Sequence, residues 1–211
     1  MILLEKVLAR GSGLAVLDLG FGAGLLARRI RPACRYLAGV ELDPEAAQEG
    51  ARFFDQPVVG DLLDGISGPF RERFDVIVAG DVLEHLPRPE DLLSALRPLL
   101  KTDGVLLLSL PNIANATVRF GLLFGRFAYA RRGILDRTHL RFFTQATGRA
   151  LLEGNGYRVV SVDATAMPLE LAVPALGRPP LAGLARTAAL SAARLWPTLL
   201  GYQFVYEARP A

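Results

Sequence analysis

The chain has 211 residues, of which 51% are hydrophobic and 21% charged, and its formal net charge is +3. This composition predicts one globular domain with a real core and excludes a disordered chain. The small net charge does not by itself indicate a polyanionic partner, and the single cysteine excludes an internal disulfide framework. Residues 1–10 lack a signal-peptide pattern, and no uninterrupted apolar run is long enough to span a bilayer. We therefore expect a cytoplasmic protein without a transmembrane segment.

Residues 14–30 predict a buried strand, a glycine-rich turn and a helix in succession. Residues 14–19 are almost wholly apolar, as expected of a central parallel strand that is covered on both faces. Gly20, Gly22 and Gly24 follow, and glycine permits a positive φ and the close approach of a ligand. The helix over 25–30 points its free N–H groups back at the turn. The stretch could hold a nucleotide cofactor, although glycine-rich turns also occur as packing devices.

The spacing of the glycines distinguishes between nucleotide cofactors. A dinucleotide fingerprint reads G-x-G-x-x-G, whereas here the third glycine comes one residue early and Asp18 precedes the first. The pattern D-x-G-x-G-x-G resembles motif I of the class I S-adenosylmethionine-dependent methyltransferases. The resemblance implies that S-adenosylmethionine is the cofactor and S-adenosylhomocysteine the product. The implied cofactor contacts in this stretch are Asp18, Gly20, Phe21, Gly22 and Gly24.

Two further predicted strands end in acidic residues. Glu41 ends the second strand, where a carboxylate can accept hydrogen bonds from both ribose hydroxyls of a nucleotide. A solvated charge at a strand end is the alternative. Asp61 follows the short third strand, and the resemblance implies that it lies near the adenine amino group, although it could also cap the next helix. The predicted contacts here are Glu41, Leu42, Asp61 and Leu62.

The fourth predicted strand, residues 74–80, leads into a turn that should face the active site. Ligands of open α/β sheets lie beyond the carboxyl ends of the strands, so Gly80 and Asp81 are further candidate contacts. Alternating strands and helices predict a parallel sheet. The segments 74–77, 82–86 and 110–112 also resemble the small-molecule methyltransferases, in the family's order. The family fold is an α/β, doubly wound, Rossmann-like sheet of seven strands, in the order 3-2-1-4-5-7-6, with the last strand antiparallel and helices on both faces.

Residues 112–143 form a basic and aromatic stretch in which six arginines stand against one acid. The overlapping segment 133–144 reads GILDRTHLRFFT and resembles a bacterial branch of the family whose members often belong to sugar, polysaccharide or envelope pathways. Arginines among aromatic residues can bind phosphate and stack on a ring. A phosphate-bearing acceptor is one candidate partner, nucleic acid is another, and a solvated basic face is the structural alternative. The predicted substrate contacts are Tyr129, Arg137 and Arg141.

The two histidines of the chain both fall in predicted active-site segments. A hydroxyl acceptor needs a base whose pKa lies near the working pH, which makes His85 and His139 the candidate catalytic residues. Either could instead be a hydrogen-bonded structural residue. No His/Cys cluster and no ligand spacing is visible in the sequence, so we expect no metal site.

These patterns predict a single class I methyltransferase domain over residues 1–211. Residues 112–143 would lie on the substrate side, and residues 167–199 would form an inserted apolar helical cap. The leading hypothesis is methyl transfer to oxygen of a small-molecule or carrier-linked acceptor. An RNA methyltransferase and a non-catalytic cofactor-binding partner subunit are the alternatives. The glycine spacing argues against a nicotinamide dehydrogenase, and the oligomeric state is left open.

Overall fold

A computed structural model describes residues 2–68, 70, 72–167 and 181–211 of the chain. Its strands are β1 (Leu14–Leu19), β2 (Cys34–Glu41), β3 (Gln56–Val59), β4 (Phe74–Gly80), β5 (Leu100–Pro111), β6 (Tyr157–Ala166) and β7 (Gly201–Pro210). They form one sheet in the order β3-β2-β1-β4-β5-β7-β6. Strands β1 to β5 pair in parallel, whereas β7 runs antiparallel to both β5 and β6. The predicted strand order and antiparallel last strand are confirmed.

The described helices connect these strands, and side-chain caps stand at the starts of some of them. They are α1 (Ile2–Leu8), α2 (Leu25–Ile30), α3 (Pro44–Gly50), α4 (Leu62–Ile66), α5 (Pro89–Leu96), α6 (Ala116–Leu123), α7 (Gln145–Gly154), α8 (Leu181–Leu195) and α9 (Pro197–Leu200). The Asp43 carboxylate accepts a hydrogen bond from the Glu45 N–H at 2.9 Å and caps α3. Thr144 and Thr147 form a capping box at the start of α7.

The sheet buries an apolar layer on each of its faces. Because successive side chains of a strand point to opposite faces, β1 divides between the two layers. Ala15 and Leu17 belong to one buried cluster and Leu14 and Val16 to the other. Helix α5 contributes Leu92, Leu93 and Leu96 to the first cluster, and α1 contributes Leu4 and Val7 to the second. All six residues of β1 are buried, which fits its place in the middle of the sheet.

The order of the strands reverses between β1 and β4, which pair side by side. The chain moves from β1 outward to β2 and β3, then returns across the sheet to β4 and β5. Such a reversal opens a crevice beyond the carboxyl ends of the two adjacent strands, where open α/β sheets bind ligands. The turns that follow β1, β2 and β4 therefore lie around one crevice.

The predicted helical cap is only partly covered by the described residues. Residues 168–180 lie outside them, whereas α8 falls within the cap segment and packs against β6 and β7. Among the described residues, no helix combines the length and apolar character that a membrane crossing requires.

Candidate active site

The turn after β1, residues 20–24, is called the glycine loop, and its three glycines all have positive φ. Their φ values are 66°, 51° and 73° for Gly20, Gly22 and Gly24. A Cβ atom at Gly22 would meet no atom within 4 Å, so this position borders open space. A Cβ at Gly24 would lie 2.7 Å from the Phe53 ring and 3.0 Å from the Gly50 Cα. Gly24 thus lets the loop pack against the end of α3, while Gly22 leaves room for a ligand.

The side chain of Phe21 points into the protein rather than into the crevice. It is 5% exposed, and its ring centroid lies 4.4 Å from that of Phe54. Only the backbone of Phe21 is therefore available to a ligand. Asp18, two residues before the first glycine, is also buried, and its Oδ2 atom has no hydrogen-bond partner among the described residues. Burial, with a smaller contribution from Glu41, raises the pKa of Asp18 to about 7.

Glu41 joins the end of β2 to the glycine loop. Its Oε2 accepts a hydrogen bond from the Gly22 N–H at 2.7 Å, and its Oε1 accepts one from the Asp43 N–H at 2.8 Å. The side chain is nearly buried. A carboxylate can accept about four hydrogen bonds, so each oxygen retains a free lone pair. Glu41 therefore fixes the loop and still fits a ligand that carries two neighbouring hydroxyl groups.

The remaining predicted cofactor contacts lie at or just after the carboxyl ends of β2, β3 and β4. Leu42 is 65% exposed beside Glu41, which suits a side chain that covers a flat ring. The Asp61 carboxylate accepts a hydrogen bond from the Leu63 N–H at 2.8 Å and so caps α4, which begins at Leu62. A Cβ at Gly80 would lie 3.1 Å from the side chain of Leu3. Gly80 therefore admits α1 to this end of the sheet.

Asp81 begins the turn after β4 in a strained conformation. Its φ of 56° makes it the one non-glycine residue with positive φ among those described. The Asp81 Oδ1 atom accepts hydrogen bonds from the Ser109 hydroxyl at 2.7 Å and from the Gln203 amide at 2.8 Å. The ends of β5 and β7 thus hold Asp81 in place. Strain of this kind persists where the surroundings enforce it and often marks a functional site.

The two candidate histidines, His85 and His139, are called the histidine pair because their rings meet. Their centroids lie 4.8 Å apart and the ring planes cross at 74°. His85 lies in the short helical turn after Asp81, and His139 lies in residues 112–143, called the acceptor segment. The Leu140 and Arg141 N–H groups donate to the Glu84 carbonyl at 2.8 and 3.0 Å. This backbone contact docks the acceptor segment onto the turn.

The hydrogen bonds of the histidine pair determine which ring nitrogen carries a proton. His85 Nδ1 lies 3.2 Å from the Thr138 carbonyl oxygen, and His139 Nδ1 lies 3.1 Å from that of Ile134. A carbonyl oxygen only accepts, so each Nδ1 donates and each Nε2 keeps its lone pair in the neutral ring. Burial lowers the pKa of His139, and the neighbouring His85 adds to this effect. The hydrogen bond to the Ile134 carbonyl opposes this shift, and the net direction favours the neutral imidazole.

Glu84 is the functional candidate that sequence reasoning missed. Its side chain is fully buried, and neither carboxyl oxygen has a hydrogen-bond partner among the described residues. Burial, followed by the charge of Asp81, raises the pKa of Glu84 to about 8. One ligand atom each from Glu84, His85 and His139 can be chosen so that all three lie within 4.8 Å of one another. The sequence does show an acid next to a histidine after a strand. It does not show that His139, which is remote in sequence, joins them.

The predicted substrate contacts occupy the acceptor segment in different ways. Tyr129 is 56% exposed, and its ring lies 5.4 Å from Phe127 and 6.5 Å from Phe142. Phe142 in turn lies 6.3 Å from His139, so an aromatic surface leads to the histidine pair. Arg137 is exposed. The Arg141 guanidinium donates to the Pro87 carbonyl at 3.1 Å through Nε, which gives Arg141 a structural contact as well.

The chain is similar in sequence to known proteins. A family profile described as "Methyltransferase domain" matches residues 3–162. A ubiquinone biosynthesis O-methyltransferase of Actinobacillus pleuropneumoniae is 32% identical over 109 residues, which make up 47% of this chain and 47% of that protein. A protein of the same name from Haemophilus ducreyi is 33% identical over 109 residues, 47% of this chain and 46% of the relative. The chain thus aligns with about half the length of these curated relatives.

Solved structures resemble the chain over nearly its whole length. Magnesium protoporphyrin IX methyltransferase from Synechocystis PCC 6803, crystallised with S-adenosylhomocysteine, has a TM-score of 0.64 at 18% identity and covers 100% of this chain and 81% of its own. A SAM-dependent methyltransferase from Archaeoglobus fulgidus has a TM-score of 0.67 at 18% identity and covers 98% and 91%. At these identities the similarity shows a shared fold.

Proposed function

Because the chain belongs to the methyltransferase domain family, we propose that it transfers a methyl group from S-adenosylmethionine to an oxygen atom of a small-molecule acceptor. The acceptor is a metabolite or a carrier-linked compound of a sugar or envelope pathway. The observation that supports the proposal is that the glycine loop, Glu41 and His85 follow the carboxyl ends of β1, β2 and β4 at the switch point of the sheet, with His139 in contact with His85. The curated relatives are named for an O-methyltransferase reaction, which supports an oxygen atom.

The cofactor side of the proposal uses the turns after β1, β2 and β3. The free lone pairs of Glu41 would accept the hydrogen bonds of the ribose hydroxyls, while the backbone around Gly22 leaves space for the amino-acid part. Leu42, Leu62 and Asp61 would surround the adenine. When bound, S-adenosylmethionine supplies a methyl group that its sulfonium has already activated. The chain's task is to exclude water and to orient the acceptor.

The acceptor side uses the histidine pair and the aromatic surface that leads to it. A hydroxyl acceptor gives up its proton as its oxygen is methylated, and the Nε2 lone pairs of His85 and His139 can receive that proton. Tyr129 offers a ring face for stacking, and the exposed Arg137 offers a cation for a phosphate group. We retain the prediction that residues 167–199 form an inserted apolar helical cap within the same domain, although residues 168–180 lie outside those that the structure describes.

Titration calorimetry and a transfer assay together test the function. We expect the chain to bind S-adenosylhomocysteine and not NAD, and the reverse result would remove the proposal. Labelled S-adenosylmethionine should then be offered with nucleotide sugars, lipid-linked sugars and small hydroxylated metabolites, with structured RNA as the comparison. Transfer to a hydroxylated small molecule supports the proposal. Transfer to RNA alone would replace it with the RNA alternative, and cofactor binding without transfer would favour a non-catalytic subunit.

A further inference from the structure

We infer that Glu84, His85 and His139 form a binding site for a divalent first-row transition-metal ion, on which the acceptor hydroxyl is held. The role given to the acceptor rests on the proposed function, whereas the binding of the ion does not. The three side chains come from two parts of the chain that meet only in the fold, at the turn after β4 and in the acceptor segment. In the proposed function, this is the side on which the acceptor binds.

The first argument is the unsatisfied chemistry of Glu84. Its carboxyl group is fully buried, and both oxygens lack a hydrogen-bond partner among the described residues. An isolated carboxylate in this position is costly, and a protonated one would still leave its O–H group without an acceptor. A bound cation would remove both costs, because it binds the carboxylate oxygens directly and neutralises their charge.

The second argument is the orientation of the histidine pair. In both rings Nδ1 donates to a backbone carbonyl, at 3.2 Å from Thr138 and 3.1 Å from Ile134, and Nε2 therefore keeps its lone pair. Metal-binding histidines are usually held in this way, with one nitrogen on the ion and the other donating to a carbonyl or carboxylate. The supporting contacts for a metal site are thus present on both imidazoles.

The loop that presents His139 is itself braced by hydrogen bonds. The Asp136 carboxylate accepts from the Thr138 N–H at 2.9 Å and from its hydroxyl at 2.7 Å. The His139 N–H donates to the Asp136 carbonyl at 3.1 Å, and the next two N–H groups donate to the Glu84 carbonyl. His139 and Glu84 are therefore held beside each other by the backbone. This preorganisation reduces the entropic cost of assembling a site on metal binding.

The distances permit a site after a small closure. Ligand atoms from the three residues lie within 4.8 Å of one another. Ligands at about 2.0–2.2 Å from one ion stand roughly 3–4 Å apart, so the side chains need to move inward by about 1 Å. Two imidazoles and one carboxylate favour Zn²⁺, Co²⁺ or a similar ion over Mg²⁺, which prefers an all-oxygen octahedron.

Three protein ligands leave at least one coordination position open for the acceptor. Glu84 is fully buried and His139 nearly so, whereas His85 is half-buried, so the site opens on the side of His85. A hydroxyl bound there would become more acidic, as water does on Zn²⁺. Its proton would pass to solvent on that open side. With the ion present, both imidazoles would serve as metal ligands and would no longer accept the proton. The ion would then promote loss of the proton by making the hydroxyl more acidic.

Metal titration of the tag-free chain tests the inference without any assay of activity. We expect one Co²⁺ or Zn²⁺ per chain by calorimetry, a visible Co²⁺ spectrum with nitrogen ligation, and far weaker binding of Mg²⁺. Glu84→Gln should weaken Co²⁺ affinity at least about tenfold, as should His139→Ala. Glu90→Gln is the matched control, because Glu90 is exposed on the neighbouring helix α5, and it should bind as the wild type does.

The outcomes separate the metal site from the proposed function. A wild-type chain that binds neither Co²⁺ nor Zn²⁺ at millimolar concentration overturns the site, as does unchanged affinity in Glu84→Gln with circular dichroism like that of the wild type. The wild-type titration stands as the test even where a variant fails to fold. If the chain does not bind metal and still transfers methyl groups at full rate in the presence of a chelator, the proposed function stands and the metal site is wrong. If the chain binds one metal ion and transfers no methyl group to any acceptor, the metal site stands and the proposed function is wrong.

Discussion

The two sides of the candidate active site are built in different ways. The cofactor side consists of strand ends and tight turns, in which Glu41 at the end of β2 holds the Gly22 N–H of the adjacent turn. The acceptor side, residues 112–143, contains one helix and is otherwise irregular. It keeps its place through contacts with the Glu84 carbonyl and, through Asn115, with the Gly201 carbonyl at 2.8 Å. Sheet register therefore fixes the first side, whereas docking of a segment fixes the second.

This difference has a functional consequence. A segment that is anchored at a few backbone points can change its exposed side chains without disturbing the sheet. The cofactor side cannot, because Gly24 and Gly50 leave no space for a Cβ between the glycine loop and α3. We therefore expect substitutions on the acceptor side to alter turnover with cofactor affinity intact, and substitutions on the cofactor side to alter affinity or stability.

His139 gives the sharpest test of the acceptor side. His139→Ala should lower turnover by about a hundredfold or more, because it removes a group that takes part in acidifying the acceptor hydroxyl. Affinity for S-adenosylhomocysteine should change by less than about twofold, since His139 is not among the proposed cofactor contacts. Steady-state kinetics and calorimetry measure the two quantities separately.

A conservative variant distinguishes chemistry from structure at the same position. His139→Asn retains a side-chain N–H that can donate to the Ile134 carbonyl but has no Nε2 lone pair. If His139 acts chemically, the Asn variant should fold normally and remain as slow as the Ala variant. Recovery of turnover in His139→Asn would show that His139 has a structural role only. The acceptor side would then not be distinguished by a chemical role of His139.

Glu41 provides the corresponding test of the cofactor side. Glu41→Ala removes the proposed ribose contacts and also the acceptor of the Gly22 N–H, so affinity for S-adenosylhomocysteine should fall by more than about tenfold. Glu45→Ala is the matched control, because Glu45 is exposed one turn away on α3. Calorimetry that finds equal affinity in wild type and Glu41→Ala would show that the ribose assignment is wrong.

The same division separates what the sequence could predict from what it could not. Glycine spacing, acidic strand ends and the order of the motifs indicated the family, and the resemblance to that family implied the strand order and the cofactor. These signals are local in the sequence, so they could be found without the structure. The resemblance to the methyltransferase family is confirmed by the matching family profile over residues 3–162. The residue roles at the site stay predictions. Glu84 was missed, because its proximity to both histidines arises only when the acceptor segment docks.

The glycine loop itself contains the finest comparison, since Gly22 and Gly24 differ in what surrounds them. Both have positive φ, so an alanine at either position bears a similar backbone strain. A Cβ at Gly24 also overlaps Phe53 and Gly50, whereas one at Gly22 meets nothing within 4 Å. Gly24→Ala should therefore lower the free energy of unfolding by about 1 kcal/mol more than Gly22→Ala does. Gly22→Ala should instead lose more affinity for S-adenosylhomocysteine, because its new methyl group enters the open space. Urea unfolding measures the stability of the two variants, and calorimetry measures their affinity for S-adenosylhomocysteine. Equal losses of stability and equal losses of affinity in both variants would mean that both glycines serve packing.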